Sequence, residues 1–164
     1  MSKKLASGND CILLDVKTGS GAFMKTDADA AELSRLMLAA AKTDGKDCTA
    51  ILTDMDRPLG MYIGNALEVR EAIETLHSET ETELGQFCIM LAAELLFMAG
   101  KGTKDACLTM AKKAVTSGEA LERFRQMIEG QGGNPHVIDS VDLLPQAACS
   151  RVLTVQQTGW ITQM

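Results

Sequence analysis

Aromatic side chains are scarce in this sequence, at 4% of 164 residues, and histidine occurs only twice, as His77 and His136. A concentrated basic surface is also missing. The only adjacent lysine pairs are Lys3-Lys4 and Lys112-Lys113, and the formal net charge is −6. Gripping phosphates along a nucleic acid needs the opposite balance, so a nucleic-acid partner is excluded. No apolar run approaches the ~20 residues of a membrane span. The opening "MSKKLASGND" has no apolar stretch behind its lysines and is not a secretory signal. The five cysteines (Cys11, Cys48, Cys88, Cys107 and Cys149) never come closer than 19 positions, which excludes C-x-x-C zinc and redox patterns. Reduced thiols in a cytoplasmic protein are the expectation.

What the chain does have is core material. Apolar residues make up 46%, with ten methionines, enough for one domain built from Leu, Ala, Ile and Met. The run "DCILLDV", Asp10 to Val16, has a continuous apolar centre and predicts a strand covered on both faces, as in a parallel sheet. "CTAILTDM", Cys48 to Met55, predicts a second strand. Between them Thr26 and Asp27 offer helix caps, and Leu33, Leu36, Met37 and Ala40 recur at helical spacing before the stop at Gly45. Strand, helix, strand is a βαβ unit, and the fold class expected is α/β.

After Met55, "DRPLGMYIGN" reads as a loop. Four helices are expected next, near Asn65–His77, Glu83–Ala99, Lys104–Ser117 and Glu119–Glu129. The acidic run "ETETELG", Glu79 to Gly85, reads as a solvated helix entry. The tail "SRVLTVQQTGWITQM" alternates apolar and polar residues and turns at Thr158-Gly159, which predicts a terminal hairpin. An open strand pair there gives the chain the look of a cut piece.

The glycine-rich "KTGSGAF", Lys17 to Phe23, follows the first strand and enters a helix, the usual ligand position in open α/β sheets. Its spacing fits neither the Walker pattern nor G-x-G-x-x-G. It is either the wall of a site or a plain turn. Asp15 and Lys17, two apart on the strand, share a face and form either a surface ion pair or a functional one. The two histidines lack a Ser or Cys partner at a telling distance and read as structural or solvated.

Three strings taken together carry a resemblance. "SKKLASGNDCILLDVKTGSGAFMKT", "TDMDRPLGMYIGNALEVREAIETL" and the stretch from "GGNPHVIDSVDLLP" into "VLTVQQTGWITQM" are similar to the pyrimidine-nucleoside and thymidine phosphorylases. The sister phosphoribosyltransferases share the architecture but not these strings. The resemblance implies part of a mixed or parallel sheet with flanking helices, truncated at both ends. Residues 1–8 would end the connection from a helical domain, 9–148 would form a partial α/β body, and 149–164 would begin a C-terminal domain.

It also implies a chemistry: phosphorolysis of a pyrimidine nucleoside to free base and pentose 1-phosphate, with phosphate as co-substrate. Lys3 matches the lysine that contacts the base, and Phe23 matches an aromatic lining the base pocket. The glycine-rich loop is then a pocket wall rather than a phosphate cradle. Leu59, Tyr62 and Glu71 match potassium ligands, and full-length members are homodimers. The alternative is an inactive remnant, or one half of a split enzyme that binds its partner half.

Overall fold

The structure is a computed structural model and describes residues 1–77 and 82–161. Helix α1 spans Ser2–Ala6, strand β1 Cys11–Thr18, helix α2 Asp27–Thr43 and strand β2 Asp47–Asp54. Helices α3 (Asn65–His77), α4 (Glu83–Met98), α5 (Lys104–Thr116) and α6 (Glu119–Gly130) follow, then 3-10 turns at Pro135–Ile138 and Val141–Leu143. The fold class is α/β, as the sequence predicts. The chain divides into two compact units, one of Met1–Leu59 with Glu83–Lys113, the other of Gly60–Thr82 with Ala114–Met164.

In the first unit β1 and β2 pair in parallel, Cys11 opposite Asp47 through Thr18 opposite Asp54. Alternate β1 residues Ile12, Leu14 and Val16 are buried together with Ala30 of α2, and Leu33, Met37, Met24 and Leu5 pack around them. The two faces of β1 are covered unequally: on the second, Leu13 is half-buried and Asp15 exposed, and Phe87 of α4 lies over Lys17. The α2 stripe is also rotated from its expected centre. Leu36 is 52% exposed, whereas Ala30, Ser34 and Ala41 are buried. Small residues let the helix approach the sheet closely, and the Ser34 hydroxyl is satisfied by donating to the Ala30 carbonyl at 2.7 Å. Ala93 of α4 and Cys107 and Ala111 of α5 form a separate small core with Ile89 and Leu96.

In the second unit Ile73 of α3 is buried with Val137 and Ile138, backed by Val69, Leu121, Phe124 and Ile128. Placing Val137 and Ile138 there is the work of the Pro135–Ile138 turn. Pro135 stands where a missing N–H costs nothing, and the Asn134 side chain caps the turn by accepting from the His136 N–H at 3.1 Å.

The terminal hairpin is not observed. Residues 151–161 form neither strand nor helix, and Val152, Leu153, Val155 and Trp160 are almost wholly exposed. An isolated two-stranded ribbon is marginal in water, and alternation alone does not hold it. The last residues of the expected second strand, 162–164, lie outside the described residues, as do Glu79 and Glu81 of the acidic run.

Candidate functional site

The flush parallel register ends both strands at one level, so the chain leaves Thr18 and Asp54 side by side. Two loops then knit together. The Met55 N–H donates to the Thr18 carbonyl at 2.7 Å, and the Gly21 N–H donates to the Met55 carbonyl at 3.0 Å. The Ser20 N–H donates to Asp56 Oδ1 at 2.6 Å. The Asp56 N–H in turn donates to Asp54 Oδ1 at 2.8 Å. Lys25 Nζ closes the loop on itself, donating to the Ser20 carbonyl at 2.8 Å.

Glycine is required at two of these positions. Gly19 sits at φ +121°, and a Cβ there would lie 2.7 Å from Asp56 Oδ1. At Gly21 a Cβ would come within 2.7 Å of the Met55 carbonyl oxygen. The hydrogen bond from the Ser20 backbone holds the Asp56 carboxyl below its ordinary range, because the donor favours the charged form.

This bracing displays one side chain. Ala22 is buried, but the next residue, Phe23, is 99% exposed. Its ring therefore has no packing partner among the described residues, Lys3 included.

The same loop is a poor seat for phosphate. The N–H groups of Ser20 and Asp29 are taken by Asp56 and by the Thr26 hydroxyl. Asp27 and Asp29 occupy the first turn of α2, where an anion would otherwise be drawn by the helix dipole.

Beside it on β1, Lys17 Nζ lies 2.7 Å from Asp15 Oδ2 and 5.2 Å from the Phe87 ring centroid of α4. The Thr53 hydroxyl, across the sheet, donates to Asp15 Oδ1. Every charge in this group is answered, which fits a structural pair.

Lys3 is exposed on α1, a helix anchored through Met1 and Leu5 to the sheet core. Its ammonium has no ion-pair partner among the described residues, so it is available to a ligand.

In the second unit Tyr62 and Glu71 are brought together. The N–H of Met61 donates to Glu71 Oε1 at 2.7 Å and the N–H of Tyr62 to Oε2 at 3.2 Å. A Cβ at Gly60 would overlap the Glu71 carboxylate. Each carboxylate oxygen keeps a lone pair beyond the bond it accepts. In donor type this fits one ligand of a weakly held cation, with backbone carbonyls as the others. No group of three or more His, Cys, Asp or Glu side chains gathers at a metal-binding distance among the described residues. Leu59, the last residue of the first unit, is exposed.

His77 Nε2 is 3.1 Å from the Ile138 carbonyl, and exposed His136 places Nδ1 3.6 Å from Asp139, which also takes two bonds from Arg125. That Arg125 fork holds the Asp139 carboxyl below its ordinary range. Among the described residues no helix is long and apolar enough to cross a membrane.

Asp56 is the residue that reading the sequence missed. In a parallel pair both carboxyl ends lie on one edge, so an acid two residues past β2 faces the glycines past β1. The spacing Asp54-x-Asp56 was the available signal.

Comparison with known proteins adds the decisive observation. The model of the glycosyl transferase family, a/b domain, matches residues 1–121. The chain belongs to this family. It is also similar, over its whole length, to proteins named pyrimidine-nucleoside phosphorylase, in line with the resemblance its strings carry. It is 41% identical to that of Bacillus subtilis (strain 168) and 42% identical to those of Staphylococcus aureus strains USA300 and COL. Each comparison covers 100% of this chain and 38% of the relative. This glycosyl transferase a/b chain thus spans well under half the length of the curated relatives it matches.

Proposed function

We propose that this chain supplies the base-binding side of a pyrimidine-nucleoside phosphorylase, which converts a pyrimidine nucleoside and phosphate to free base and pentose 1-phosphate. The observation that carries the reading is whole-chain similarity, at 41–42% identity, to proteins of that name. Breaking the glycosidic bond leaves negative charge on the departing base. The unpaired Lys3 ammonium donates to a base oxygen and stabilises that charge, which is preorganised electrostatic catalysis. Phe23 lies against the base, where its exposed ring gains a partner on binding. Phosphate binds elsewhere, since the glycine loop's donors are already committed.

The carbonyls of Leu59 and Tyr62 and the carboxylate of Glu71 would hold a potassium ion, whose charge would steady the loop. The assembled enzyme is a cytoplasmic homodimer. A second reading makes it a partner-binding half of a split enzyme or an inactive remnant.

The test is phosphate-dependent release of uracil from uridine or thymine from thymidine. It is run with the chain alone and with the chain mixed with an N-terminal half from a relative. Activity in the mixture, lost in Lys3→Ala, supports the reading. Absence of activity in both, with the chain folded, leaves the remnant.

A further inference from the structure

Asp56 is an exposed acid whose side chain is spent on the backbone of a neighbouring loop. That loop ends in a ring that is exposed among the described residues. Between the bonded Ser20 and Phe23 run only Gly21 and Ala22, and the loop is pinned by the bonds from Ser20 to Asp56 and from Gly19 to the Met24 carbonyl at 3.0 Å. Gly21, bonded to Met55, pins the middle. Of these contacts, the bond to Asp56 is the only one that a side chain of the second loop makes to the backbone of the first. The glycine at position 19 leaves the space that the carboxylate fills.

We propose that Asp56 is a positioning residue for the pyrimidine: it acts through the Ser20 N–H to hold the 19–24 loop so that Phe23 meets the base. This rests on the reading of Phe23 given above. The base itself does not touch Asp56. Its contribution is to order the loop before binding, so that the ligand does not bear that cost.

The test uses the full chain and three variants, Asp56→Ala, Asp56→Asn and Phe23→Ala, with uridine and thymidine as probes. Amide exchange at Ser20 and Gly21 reads the loop without reference to any ligand. Probe-induced shifts of the Phe23 ring resonances read the base contact. The expected result for Asp56→Ala is exchange at Ser20 faster by about tenfold. Its pyrimidine affinity should fall by about threefold to tenfold. Asp56→Asn, which still offers an acceptor to Ser20, should recover most of both, and a merely structural role would not require that parallel recovery.

Unchanged Ser20 exchange in Asp56→Ala overturns the proposal. So does faster exchange with wild-type affinity, which would leave the Phe23 reading intact. If wild-type Phe23 resonances respond to neither probe, the base-contact reading fails and the positioning role fails with it.

Discussion

Two carboxylates in this chain do the same local task from different supports. In the first unit Asp56 holds a loop from within another loop, through one backbone N–H. In the second, Glu71 holds the 60–62 turn from helix α3, taking two consecutive N–H groups with its two oxygens. Each loop carries an exposed apolar side chain, Phe23 in one and Met61 in the other. The difference lies in what fixes the acid. Glu71 rides on a helix that buries Ile73 two residues further on, so its position depends on core packing. Asp56 depends on local geometry, above all on the left-handed backbone of Gly19. A clamp tied to a core should fail with the core, and one tied to a turn should fail with the turn.

The largest effect is expected from Ile73→Ala. Truncating this side chain should cost about 2–5 kcal/mol in urea unfolding, and exchange at Met61 and Tyr62 should rise with it because the clamp sits on the same helix. Exchange there that stays at the wild-type rate would break the link between core and clamp. Next comes Gly19→Ala, for which the backbone conformation alone should cost about 1–3 kcal/mol, measured the same way. Gly60→Ala sharpens the contrast. Its Cβ meets only the flexible end of Glu71, so the expected loss is the clamp's hydrogen bonding, about 1 kcal/mol. A larger loss at Gly60 than at Gly19 would reverse the account.

The smallest effect is a pH dependence confined to the Ser20 loop. The folded Asp56 carboxyl lies below its ordinary value, so its clamp is complete above the usual ~3.9 and is lost as pH falls through the lower folded value. The Ser20 amide shift, followed by NMR during acidification, should move with a midpoint below the usual carboxylate value. A midpoint above it would contradict the bond to Ser20.

The regular elements were legible because their signals are periodic. Expected and observed bounds agree from α3 through α6, and the βαβ unit follows from two apolar runs flanking a capped helix. Helix α1 gave no such signal: it has five residues and no side-chain cap. The tail misled for the opposite reason. Leu153 and Val155 alternate with Val152, Thr154 and Gln156 on the opposite face, but alternation describes a surface awaiting a partner rather than a strand in itself. At the site, Lys3, Phe23, Leu59, Tyr62 and Glu71 entered only through resemblance. The clamps were hidden because they depend on where backbone N–H groups point, and no side-chain pattern reports that.

The flush register of β1 and β2 also determines where this chain can change length. An extra residue at the joint from α2 to β2, around Asp44–Lys46, lies upstream of the pairing and is absorbed by a surface turn. An extra residue inside β2 beyond its last core contact would turn Thr53 away from Asp15 and carry Asp56 out of reach of Ser20. Insertions in natural or engineered variants should therefore collect at the sheet's amino edge, while its carboxyl edge keeps a fixed count.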